Sequence, residues 1–182
     1  MINYLLVVFL LMAGGLVGCQ SAPTRVKEDV GGEYDKTLVL VDTRSSLEFN
    51  SYHVSGSVHL STSDYLVIQN PTLKVRKLDS DINQTIERLA RKSISPAKKV
   101  ILISNKKDSL ENKKWQWLFK KLGVLNVQLT SLDEYRAANP SLAPRPEPER
   151  EEVWKIEKSK QKIILQESDL CFVSWNESKC NQ

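Results

Sequence analysis

The chain has 182 residues, 41% apolar and 26% charged, enough for one ordinary globular domain with additions. Its 26 Lys and Arg are interleaved with 22 Asp and Glu, leaving a formal charge of +4 and no basic stripe. That distribution lacks the electrostatic footprint of nucleic acid binding, and no nucleic-acid partner is expected.

Residues 4–18, YLLVVFLLMAGGLVG, carry no charge and fall short of the ~20 apolar residues that a spanning helix needs. They resemble the apolar core of a secretory signal, and the LVGCQSAP that completes them looks like a bacterial lipobox, with small residues ahead of a lipid-bearing cysteine. Residues 1–18 are therefore expected to form a lipoprotein signal peptide, with Cys19 as the lipidated residue. A cut after Ala22 would leave Pro23 first, a residue that restricts the bond to be cleaved. Gln20 after the cysteine is similar to the pattern sorted to the outer membrane, so the expected location is that membrane, facing the periplasm. Two or more acyl chains would make the anchor stable, each buried methylene contributing about 0.8 kcal/mol. Residues 19–32 read as a polar tether.

Residues 37–44, TLVLVDTR, form a continuous apolar run that ends in polar residues, as in a strand covered on both faces. After it come a short helical turn, a loop around Gly56 and a second strand near residues 58–60. In residues 79–92, Ile82, Ile86, Leu89 and Ala90 make one helical stripe, with Asp79 or Ser80 as cap. Residues 98–104 predict the next strand. The following helix is capped by Ser109, buries Trp115, Leu118, Phe119 and Leu122 on one face, and ends at Gly123. Trp117 is two residues from Trp115 and is expected sideways or exposed. A strand over 124–130 and a short helix over 131–138 complete an alternation that implies a parallel, three-layer α/β/α domain.

The composition then changes. Residues 139–151 hold four prolines among dense charge, and residues 141–152 read as an extended linker. Residues 153–182 suggest three short strands, over 153–157, 162–166 and 171–175, a C-terminal β extension too small for its own core. It is expected to pack on the main domain or on another surface. Cys171 and Cys180, separated by eight residues, are an expected structural disulfide in an exported protein. A redox pair would have the closer C-x-x-C spacing.

Over residues 33–140 the chain resembles a rhodanese-like domain. Asp42, Arg44, Glu48, Phe49, His53, Gly56 and Ser57 fall in order on that family's opening signature, and VILIS followed by a turn, a helix and NVQLTSLDEYRAANP is similar to its later half. The resemblance implies a mostly parallel five-stranded sheet, with the site at the loop after residues 98–104. It also implies structural roles for Asp42, Arg44, Glu48, His53 and Gly56.

Active rhodaneses carry sulfur on a cysteine at that strand end, where backbone N–H groups at a helix N-terminus hold the thiolate. Here the loop is Ser104, Asn105, Lys106, Lys107, Asp108 and Ser109. Neither Ser104 nor Asn105 can carry sulfane sulfur, and no histidine in the loop can serve as base. No catalytic residue, cofactor or metal ligand is therefore expected. The expected function is that of a non-catalytic binding or scaffolding module in the bacterial envelope, with an envelope protein as partner. The competing expectation is an enzyme of altered chemistry, or an anion-binding domain, that uses loop 104–109.

Overall fold

The computed structural model describes residues 35–140 and 145–180, within one contact-defined unit, Gly32–Gln182. Residues 1–18, Cys19 and the tether lie outside them. Apolar β-branched sequence forms β1 (Leu38–Asp42), and the chain continues through α1 (Ser46–Ser51) to the short β2 (Val58–His59). A 3-10 turn, Thr62–Tyr65, leads to β3 (Leu66–Asn70), β4 (Val75–Leu78) and α2 (Ile82–Arg91). Then come β5 (Lys99–Ser104), α3 (Leu110–Leu122), β6 (Val127–Ser131) and α4 (Leu132–Ala138).

The main sheet has the order β2-β1-β5-β6 and all its pairings are parallel. Among the described residues it has four strands, not the five implied by the resemblance. The two further strands, β3 and β4, pair antiparallel in a separate hairpin. Asp42 lies opposite Ile103, and Ser104 opposite Ser131, so the strand ends fall along one edge. After β1 the chain goes to one side of it and later returns on the other. The gap between the C-terminal ends of β1 and β5 is thus a topological switch point, where open α/β sheets place their sites.

Both faces of the sheet are covered, as its uninterrupted apolar strands require. On one face Val39, Val41, Val100 and Leu102 pack with Ile82, Ile86 and Leu89 of α2 and Trp115, Leu118 and Phe119 of α3. On the other, Leu40, Ile101 and Ile103 pack with Val54 and Tyr135. Local signals set the helix ends. Asp81, not Asp79 or Ser80, caps α2 by accepting from Asn83 N. Ser109 accepts from Asn112 N at the start of α3, and Gly123 ends that helix at φ 90°, where a side chain is disfavoured.

The C-terminal region corrects the sequence reading. The expected strands over 153–157, 162–166 and 171–175 are replaced by an extended stretch and then by α5 (Lys158–Ser168), a π-helical turn (Asp169–Val173) and α6 (Glu177–Cys180). The apolar run Ile163, Ile164, Leu165 fits strand or helix. Lys and Gln around it favour the helix, which turns Ile164 and Ser168 inward at i, i+4.

The extension does pack on the main domain. Phe172 is fully buried with its ring centroid 5.1 Å from that of Trp115, edge-on, and Tyr65 meets Trp115 from another side at 4.9 Å. Trp117, expected sideways or exposed, is only 5% exposed because it belongs to the same core, against which Trp175 packs. Cys171 and Cys180 form the expected disulfide. Closing a loop of this size contributes roughly 2 to 3 kcal/mol.

The proline-rich stretch is docked as well. Glu151 N donates to Ala90 O, its carboxylate pairs with Lys98 at 2.9 Å and accepts from Ser95, and Trp154 Nε1 donates to Leu122 O. The last contact satisfies a carbonyl that the end of α3 would otherwise leave open.

Candidate functional site at the end of strand β5

Asp42 and Arg44 stand at the end of β1, 1% and 8% exposed. The guanidinium forms a two-point pair with the carboxylate, Nε to Oδ1 at 3.0 Å and NH2 to Oδ2 at 2.6 Å, and NH2 also donates to Tyr52 O at 2.6 Å. Hydrogen bonding to Asp42 raises the Arg44 pKa. Breaking such a buried pair from one side costs about 3 to 5 kcal/mol. The pair and the Tyr52 carbonyl together hold the chain where it leaves β1.

Glu48 closes a capping box on α1: Ser45 Oγ accepts from Glu48 N, and Glu48 Oε2 accepts from Ser45 N and Oγ at 3.0 and 2.6 Å. Its other oxygen accepts from Asn105 Nδ2 at 2.6 Å. Hydrogen bonds from Ser45, then from Asn105, hold this carboxyl down at about 2. Glu48 therefore ties α1 to the loop after β5.

That loop is closed upon itself. Ser104, 3% exposed, donates its hydroxyl to Lys106 O at 2.5 Å, and Ser109 N donates to the same oxygen at 2.9 Å. Asn112, fully buried in the first turn of α3, donates Nδ2 to Lys107 O at 3.0 Å and accepts from Thr43 Oγ1 at 2.7 Å. Lys106, Lys107 and Asp108 are exposed. Chemically, this is the reverse of an anion cradle at residue 104: a carbonyl oxygen faces the side chain, where an anionic sulfur would need N–H donors.

His53 is exposed, stacks on Phe49 with centroids 4.3 Å apart, and places Nδ1 3.0 Å from Phe49 O. Gly56 has φ +71°. The two residues line a cleft of about 580 Å³ together with His59, Arg91 and Arg145. The structure thus brings Asp42, Arg44, Glu48 and Asn105 around the β1 and β5 ends, and places His53 and Gly56 in this cleft. Cys171 and Cys180 sit in the C-terminal extension, and Cys19 lies outside the described residues.

Two organising residues were not found by sequence reasoning, Thr43 and Asn112. The available signals were an Asn at the N3 position after the Ser109 cap and a Thr between the paired Asp and Arg.

The rhodanese-like domain family model matches residues 24–133, more than half of the chain. The chain belongs to the rhodanese-like domain family. Its cysteines are Cys19, Cys171 and Cys180, so the matched segment of this rhodanese-like protein contains none. No curated protein is similar enough to count as a match.

Proposed function

We propose that this rhodanese-like protein is a non-catalytic lipoprotein, anchored through Cys19, whose domain binds or scaffolds a protein partner in the bacterial envelope. The observation that carries the reading is the state of residue 104. Its hydroxyl is buried and spent on Lys106 O. An oxygen nucleophile with no base in its loop cannot accept and release sulfane sulfur. A retained fold whose reactive position is closed, on a chain with a lipobox-like start, fits a module kept for its surface. The lipid would hold it at the outer membrane without a spanning helix, exposing it to the periplasm.

The test has a chemical and a cellular arm. The full chain should transfer no sulfur from thiosulfate or mercaptopyruvate to cyanide, and Ser104→Cys should stay at background, because the new thiol would still face the Lys106 carbonyl. Turnover by the unaltered chain overturns the reading. In intact cells, crosslinking should join the chain to one specific envelope protein, and Cys19→Ser should abolish that product. A chain that stays uncrosslinked, or whose crosslinking ignores Cys19, contradicts the anchored-scaffold assignment.

A further inference from the structure

The hairpin β3–β4 contributes little to the core. Only Leu78 of its two strands is buried, and Leu66 packs partly against the core. The rest projects. Ile68, Leu73 and Val75 are 57%, 71% and 39% exposed, a concentration of apolar surface within one short element. Lys74 and Arg76 are exposed between them, and Lys77 follows. Residues 66–78, LVIQNPTLKVRKL, include three cations and no acid, in a chain whose total excess is only +4. The Lys77 side chain pairs with Asp169 at 2.8 Å, whereas the side chains of Lys74 and Arg76 have no hydrogen-bond or ion-pair partner among the described residues.

The turn holds the tip of the hairpin in a fixed form. Asn70 Oδ1 accepts from Leu73 N at 2.9 Å, and Lys74 takes φ 52°, so the tip folds back sharply with Leu73 at its crest. Apolar side chains beside cations, on a segment with no acid of its own, are complementary to an anionic bilayer surface. The apolar groups enter the region of the acyl chains and headgroups, while Lys and Arg meet lipid phosphates.

We propose that the β3–β4 hairpin docks on an anionic phospholipid bilayer, with Leu73 inserted and Lys74 and Arg76 against the headgroups. This rests on the reading of Cys19 as a membrane anchor. The anchor brings the hairpin to the bilayer, and the hairpin sets which side of the domain faces it.

The experiment uses the full chain reconstituted in phosphatidylcholine vesicles, with and without phosphatidylglycerol, the acyl chains brominated to quench indole emission. Leu73→Trp supplies the reporter, and the unaltered chain gives the background of its own tryptophans. In phosphatidylglycerol vesicles the added indole should shift to the blue and be quenched. Adding Lys74→Glu and Arg76→Glu, both at exposed positions, should reduce the quenching at least threefold. An indole that stays unquenched overturns the proposal, and so does quenching that is indifferent to phosphatidylglycerol or to the charge reversal. An indole silent on vesicles but shielded in intact cells assigns the patch to a protein partner, and likewise overturns it. The mass of the N-terminal peptide reports acylation of Cys19 separately, so failure of the anchor and failure of the hairpin are read apart.

Discussion

Glu48 is the residue that ties α1 to the loop after β5. One of its oxygens completes the Ser45 capping box and the other holds Asn105. A carboxylate that accepts several hydrogen bonds is favoured in its charged form, and here its pKa falls from 4.5 to about 2. The sign of the linkage follows. The unfolded chain takes up this proton first as pH falls, so the contribution to stability is fully present above about 4.5 and is lost as pH drops through about 2. Glu48 is partly open to solvent, so screening keeps the energy small, and the titration itself is the better readout. The carboxyl carbon shift of Glu48 should have a midpoint at about 2, well below the ordinary 4.5. Asn105→Ala should raise that midpoint without restoring the ordinary value, because the bonds from Ser45 remain. A midpoint unmoved by Asn105→Ala would remove the tie between α1 and the loop. From the sequence, Glu48 was legible as a motif position but its bond to Asn105 was not. Nothing local in a chain reveals a contact across 57 residues.

At the scale of elements, the docked arm over residues 145–151 depends on a glycine. A Cβ on Gly56 would lie 2.6 Å from Arg145 Cβ and 2.9 Å from Pro146 O, and φ +71° is itself unfavourable for other residues. Gly56→Ala should therefore lift the arm locally while the core helices stay intact. Limited proteolysis should cut within residues 145–151 faster than in the unaltered chain, with the far-ultraviolet circular dichroism unchanged. Equal cleavage rates would show that the arm does not need this close approach. Elements with strong local punctuation were readable in advance: α3 lies between the Ser109 cap and Gly123, and β1 and β5 are apolar runs of strand length. The hairpin was not read at all, because residues 66–78 mix apolar and basic residues in weak alternation. The helices after residue 157 were misread, because a three-residue apolar run is compatible with either period.

At the scale of the molecule, the C-terminal extension completes the core instead of decorating it. Trp115, Trp117 and Phe119 share one cluster with Ile164, Cys171, Phe172 and Cys180. The sequence could show that some 30 residues were too few for a separate core, but not which surface they would cover, since that depends on the face α3 presents after folding. Losing Phe172 alone should cost about 3 to 5 kcal/mol, a large part of the roughly 5 to 15 kcal/mol that stabilises an ordinary domain. Removing residues 153–182 would also strip Ile164, the Trp154 bond to Leu122 O and the disulfide. The shortened chain, although it retains the whole segment matched by the family model, should therefore not fold cooperatively. Thermal unfolding of the full chain should show one transition followed together by circular dichroism and tryptophan fluorescence. The shortened chain should show no cooperative transition and should bind a hydrophobic dye before heating. If residues 1–152 instead melt sharply, the rhodanese-like fold is self-sufficient and the extension is an accessory to it.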